Sequence, residues 1–421
     1  VVDTLAVIVG GSAEPEVMAL SSDLMTTVDT GASVLGTGRR TELGCAAFLN
    51  ATAGTFLELD EGNRFARGHP SIHVVPAGLA FSEVQACSGS DLLLAIILGY
   101  EVGARIGIGS RLRPSIHPHG TWGTVGAAVT VAKLAGASAA EMREVINVAS
   151  PLGLANSDRT MLEGGTVRNS FAGFSAQNAL MAWRLVRNGF SGERDGLRTV
   201  WEQVLSDSWD PTVLVHRLGD HWEISRNYFK RHACCRYNHG ALDVLIDLRE
   251  RHDLKAESIR TVDVETYSPA ARLDDQTPRN TLAGKFSLPF AVATTLIHGD
   301  AGVSSFTWDA VRDARIRDLS LRVRVCENED MTAMLPTHRP ARLTVTLKSG
   351  QEITGYTETN RGDPEDPYSE EELTDKFFEL TNRVWPEDFS RRLLDATMEL
   401  EQLENINDLT RPLQGPTIAK C

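Results

Sequence analysis

Ile259-Arg260-Thr261-Val262-Asp263-Val264-Glu265-Thr266-Tyr267 alternates polar and apolar residues through its middle, the period of a half-buried strand. Nothing upstream reads this way. The first 250 or so residues carry apolar stretches of helical period, rich in Ala and Gly: 45–53, 91–107, 122–135, 139–149, 171–186 and 241–248. Small residues on helices let backbones approach closely, which suits a layered helical bundle. The chain therefore changes character near Ser258.

Downstream, 319–325 alternates again. The stretches 341–348 and 352–357 flank Ser349-Gly350, a hairpin signal. An apolar helical run, 290–297, lies between the strands. Ser369 precedes Glu370-Glu371-Glu372, an N-cap followed by acid in the first turn. Pro386-Glu387 opens a last helix. The predicted fold is mainly α with a smaller α+β domain: a helical domain over 1–257, an α+β lid over 258–384, and a C-terminal helix over 385–421 that returns to the helical domain.

A chain of 421 residues exceeds one ordinary core, in keeping with this division. With 42 Lys+Arg against 56 Asp+Glu it is acidic, which argues against nucleic acid as a partner. The longest apolar stretch, 92–98, is far shorter than a membrane span and reads as a buried helix. Six cysteines are scattered at 45, 87, 234, 235, 326 and 421 with no CxxC, the usage of a reducing cytoplasm. The adjacent pair Cys234-Cys235 is not a zinc spacing.

Six of eleven histidines fall in three short segments: Gly68-His69-Pro70-Ser71-Ile72-His73, His117-Pro118-His119-Gly120-Thr121, and Lys230-Arg231-His232-Ala233-Cys234-Cys235-Arg236-Tyr237-Asn238-His239. Base-capable clusters in an acidic chain point to a local pocket for a small anion with groups that transfer protons. His69 precedes proline and so sits in extended backbone, in a loop rather than a helix; the structural alternative is a cap on the following helix. His117 and His119 precede a Gly/Ala-rich helix whose N-terminus offers N–H groups to a carboxylate, or they are surface loop residues. Lys230 is a second proton carrier if burial strips it of water, and Arg231 a bidentate carboxylate clamp; the alternative is a solvated basic turn. Arg236 and His239 would belong to the same wall, and Asn238 would cap the helix that follows. Asp60 and Glu61 either orient an imidazole or form an exposed acidic turn. Arg168 either supplies charge to a carboxylate or makes a surface salt bridge. His73, four residues after His69, suggests a metal pair, but no HExxH accompanies it. Gly103 to Gly109 follows a helical run and is not a dinucleotide loop.

Taken in order, Leu59-Asp60-Glu61-Gly62, Gly68-His69-Pro70-Ser71, His117 to Ala128, Arg168 with Gly173, Phe229 to His239, and Gly284-Lys285-Phe286-Ser287-Leu288-Pro289-Phe290 resemble the MmgE/PrpD family of 2-methylcitrate dehydratases, cis-aconitate decarboxylases and iminodisuccinate epimerase. The resemblance implies a cofactor-free enzyme with no metal, acting on a small di- or tricarboxylate. It also implies a homodimer with a cleft between a helical domain and a lid. By motif it matches His69, His117 and Lys230 to the family's site segments; with Asp60 these are the candidate catalytic residues, and Arg168, Arg231, His119, Arg236 and Lys285 the candidate substrate contacts.

Such an enzyme abstracts an α-proton. Epimerisation needs a carrier on each face, which His69 with Lys230 or His117 would supply, and needs no acid for a leaving hydroxyl. On that argument the sequence favours epimerisation of an iminodisuccinate-like substrate. A 2-methylcitrate-type hydro-lyase, a cis-aconitate-type decarboxylase and a non-catalytic polycarboxylate-binding dimer are the alternatives.

Overall fold

The structure, a computed structural model, describes residues 1–26, 28 and 30–413; 414–421, the end of the predicted tail with Cys421, lies outside the described residues. The chain divides into two units. One comprises 1–158, 169–227 and the stretch from Ser369, and the other 159–168 and 228–368.

The first unit is helical. Trp122–Leu134 lies at its centre, packed on Gly89–Gly109, Phe171–Arg187 and Ser71–Gln85, and its residues from Trp122 to Ala132 are all buried. A helix apolar on every side can be stable only with neighbours all round. Glycine makes this crowding possible where Gly89–Gly109 crosses it. A Cβ on Gly126 would stand 2.6 Å from the Gly99 carbonyl oxygen, and one on Gly99 2.5 Å from that of Gly126. Gly89–Gly109 is long and apolar enough to cross a membrane, but two-thirds of it is buried within the unit, as in a core helix. Gly103 to Gly109 is helical, in keeping with its reading as no dinucleotide loop.

Two small ribbons, Ala32–Val34 with Arg39–Thr41 and Ser110–Leu112 with Ser206–Trp209, were not foreseen; strands of three or four residues are too short to show a period. The helix Glu370–Thr381 opens on the N-cap expected at Ser369, which Glu372 completes as a capping box. It packs on Val2–Ser12, and its buried Lys376 reaches Asp3 and the Leu59 carbonyl.

The second unit is α+β. Its sheet runs Val323–Glu327, Ile259–Thr266, Ala341–Leu347, Glu352–Thr357, the first pair parallel and the others antiparallel. In Ile259–Thr266 the alternation is real: Ile259, Val262, Val264 and Thr266 are buried. The expected strand at 319–325 is displaced. Residues 319 and 320 end the helix Ala314–Ser320, whose start is capped by the Asp313 carboxylate, and the strand begins only at Val323. The helix Arg236–His252 packs on Ala341–Leu347 and Glu352–Thr357. That contact draws the boundary to 228, thirty residues before the change in sequence character at 258. Asn238 lies inside this helix, not at its cap, and its side-chain amide donates to the Lys285 carbonyl at 3.2 Å.

Because the atoms opposite Gly126 are backbone, Gly126→Ala cannot be absorbed by a rotamer change. It is expected to cost about 1–3 kcal/mol, read as a lowered urea midpoint with an unchanged m-value; an unchanged midpoint contradicts the close crossing.

Candidate functional site

In the helical unit the first two histidine segments meet. Ring centroids of His69 and His119 are 4.7 Å apart, those of His117 and His119 5.1 Å, and those of His73 and His119 5.4 Å. His119 is the hub, and is 1% exposed. His117 and His119 are thus buried, not the surface loop residues of the alternative reading.

Hydrogen bonds fix the role of each ring nitrogen. His69 Nδ1 lies 2.7 Å from the Glu61 carbonyl oxygen and 3.3 Å from that of Asp60, so it carries the proton and donates. The Asp60 carboxylate stands 3.3 Å from the same nitrogen. Nε2 is then the basic nitrogen of the ring, and Asp60 favours the imidazolium that forms when it takes a proton. His117 Nδ1 accepts the His119 N–H at 3.1 Å, which leaves its proton on Nε2. His73 Nδ1 donates to the His69 carbonyl at 2.8 Å. His69 does not cap the next helix; the N-cap of Ser71–Gln85 is Pro70.

Asp60 and Glu61 are buried, which removes the exposed acidic turn as a reading. The Glu61 carboxylate accepts the Tyr100 hydroxyl at 2.6 Å and the Ser71 N–H, in the first turn of the helix after His69, at 3.1 Å. Burial pushes this carboxyl up to about 7 from an ordinary 4.5. Asp60, His69 and His119 offer donor atoms within 4.8 Å of one another, a spacing that invites a metal reading. His69 Nδ1, committed as a donor to a carbonyl, is not itself available as a ligand atom.

The α+β unit holds the third segment and the cations. Its buried charged residues are Arg168, Lys230, Arg236, Lys285 and Arg339 against one carboxylate, Asp363. The helical unit has the opposite bias: among the described residues, six buried acids (Glu58, Asp60, Glu61, Glu83, Glu101, Glu223) stand against Arg64, Arg105 and Lys376. Lys230 is fully buried, so the solvated basic turn is not what forms; Arg231 beside it is half-buried. Arg168 is buried with its guanidinium 5.3 Å from the centre of the Phe286 ring, and is no surface salt bridge. Lys285 ends the helix Thr281–Lys285, and its carbonyl accepts the Cys235 N–H at 3.0 Å, tying the two basic segments together.

Arg236 is spent on structure. Its guanidinium pairs with Asp363 at 2.9 Å and also donates to His239 Nδ1 and to the carbonyls of Phe229 and Arg361. That arrangement builds the wall rather than leaving a fork for substrate. Burial and the neighbouring Arg236 hold His239 well below the usual histidine range, hence neutral. His232 Nε2 lies 2.9 Å from Asp243, which also accepts the Arg361 N–H.

Residues 1–210 match the MmgE/PrpD N-terminal domain and residues 232–402 the MmgE/PrpD C-terminal domain. The chain belongs to the MmgE/PrpD family. Curated relatives include a cis-aconitate decarboxylase of Aspergillus terreus, 26% identical over 414 residues, covering 91% of this chain and 84% of that protein. Those of Mus musculus and Homo sapiens are 25% and 26% identical, each covering 79% of the relative and 89% and 88% of this chain.

Within this MmgE/PrpD chain, sequence reasoning passed over three residues of the helical unit. Glu58 is buried with a left-handed φ of 57°, unusual for a side chain of its size. Arg64 is buried with its guanidinium near the Phe65 ring. Tyr100 anchors Glu61 from a helix that carries no motif. An acid and a base inside the run Leu57 to His69 were the available signal; for Tyr100 there was none.

The raised Glu61 carboxyl has a stability consequence. Between pH 4.5 and about 7 the folded chain keeps a proton on Glu61 that the unfolded chain has lost. Stability therefore falls as pH rises through that window and levels off above it, by about 3 kcal/mol in all. Glu61→Gln lacks this slope. Urea titrations at pH 5 and 8 should show the variant gaining on the parent protein by that order; parallel pH dependences contradict the assignment.

Proposed function

We propose that this chain is a lyase that decarboxylates a small unsaturated tricarboxylate of the cis-aconitate type. The observation that carries the reading is His69, half-buried against Asp60 with its Nδ1–H held by the Glu61 carbonyl, so that Nε2 is the atom that exchanges a proton. Beyond the Arg236–Asp363 pair, the α+β unit buries Arg168, Lys230, Lys285 and Arg339, a charge bias in keeping with an anionic substrate. The curated relatives, named as cis-aconitate decarboxylases, support loss of carbon dioxide over the epimerisation the sequence favoured.

The chemistry is within the means of these side chains. As the C–CO2 bond breaks, its electron pair forms a new carbon–carbon double bond. The existing double bond releases its pair to the methine carbon, which bears a carboxylate. That carbon takes one proton, delivered from Nε2 of protonated His69, which is recharged from water. The substrate's own unsaturated carboxylate accepts the electrons. Cations or N–H donors beside the carboxylates would offset the charge that develops on them. Asp60 would stabilise the imidazolium between turnovers. His117, with its proton on Nε2, serves as a hydrogen-bond donor in this scheme.

The test is carbon dioxide release from cis-aconitate by the purified protein. Release is expected, and His69→Gln should lower kcat by about 10²- to 10⁴-fold, the usual contribution of a positioned acid or base. If no carbon dioxide appears while iminodisuccinate loses optical activity with its skeleton intact, the decarboxylase reading is wrong and epimerisation stands.

A further inference from the structure

We propose that His73 is a positioning residue whose neutral ring locks the segment carrying His69 to the segment carrying His117 and His119. The proposal rests on the acid–base reading of His69 above. His73 lies on the helix Ser71–Gln85 and is fully buried. Both of its nitrogens face backbone of a site segment. Nδ1–H donates to the His69 carbonyl at 2.8 Å, and Nε2 accepts the Gly120 N–H at 3.3 Å. The second bond requires a lone pair on Nε2, so the ring must be the neutral Nδ1–H tautomer.

The surroundings are shaped to this ring. Gly120 has a left-handed φ of 86°, and its carbonyl accepts the Leu154 N–H at 2.7 Å and the Thr124 hydroxyl at 3.1 Å. The peptide that meets His73 is itself held from its other side, where the His119 carbonyl accepts the Asn156 side-chain amide at 2.6 Å. A Cβ on Gly123 would run into the His73 ring, so the helix Trp122–Leu134 leaves room for it. The Trp122 and His119 rings stand 5.9 and 5.4 Å from it, centre to centre. His73 therefore sits in contact with three parts of the site at once: the main chain of His69, the turn before the Gly/Ala-rich helix, and the hub His119. With one donor and one acceptor both engaged, it is not a metal partner of His69, the other meaning of a four-residue histidine spacing.

A side chain with one donor and one acceptor at similar reach can replace it in part; an apolar one cannot. His73→Gln should keep kcat on cis-aconitate within about tenfold of the parent. His73→Leu should lose about 100-fold in kcat with KM little changed, since misplacing a reacting group by about 1 Å costs that much while carboxylate binding is untouched. Nitrogen-15 NMR of the histidine rings decides the matter without turnover. In the parent protein His73 should carry its proton on Nδ1 alone, and so should His69. In His73→Leu, His69 should lose its single tautomer, and His73→Gln should restore it.

Finding His73 protonated on Nε2 overturns the proposal, and this needs no variant. So does an unchanged His69 signal in His73→Leu with kcat within threefold of the parent. Absence of turnover in the parent would count against the decarboxylase reading alone, because the ring tautomers are read in either case.

Discussion

Taking charge out of water is the constraint around which both units are arranged. An ionised group inside a protein is tolerated only where hydrogen bonds or opposite charge replace its hydration. In the helical unit the acids meet that demand locally. Glu61 is held by Tyr100 and Ser71, Glu83 by Ser33 and Thr410, and Glu101 by Arg105 and the Glu223 N–H. The bonds to Glu61 tie the loop that presents His69 to the helices Gly89–Gly109 and Ser71–Gln85. In the α+β unit the bias is toward cations, with only Asp363 buried among them.

The tight helical packing serves the same end. Trp122–Leu134 starts at the second histidine segment, and its glycines let Gly89–Gly109 and the His73 ring come close. A Cβ at Gly126 or Gly123 would displace backbone or imidazole, so the same positions govern stability and site geometry. Gly89–Gly109 in turn carries Tyr100, which reaches Glu61. Core and site are one network here, from the glycine crossing to the Glu61 carboxylate to the His69 ring.

Much of this was legible beforehand, for definite reasons. Helices with a clear apolar period and strands with a clear alternation appear where the pattern puts them, as at Ala139–Ala149 and Ile259–Thr266. His69 and His117 were visible because they sit beside proline and glycine, in loops that can turn side chains inward. What escaped was anything decided by burial or by distant partners. The sequence cannot say that Asp60 and Glu61 are enclosed, that Arg236 spends its fork on Asp363, or that Tyr100 lies against Glu61, since each depends on residues tens of positions away. The strand expected from Leu319 begins at Val323 because a capped helix claims the intervening residues. The lean toward epimerisation failed to gain support for a related reason: counting proton carriers cannot rank reactions when the same histidine can remove a proton in one and deliver it in another, and the relatives' names favour decarboxylation.

The central claim is that a histidine delivers one proton to the methine carbon as carbon dioxide leaves. The most direct measurement is the position of deuterium in the product formed from cis-aconitate in deuterated water. The account predicts one deuterium, in a single stereochemical position of the saturated methylene beside a carboxylate, and none in the vinyl methylene. Deuterium in the vinyl position, or equal labelling of both methylene positions, would contradict delivery by a fixed side chain.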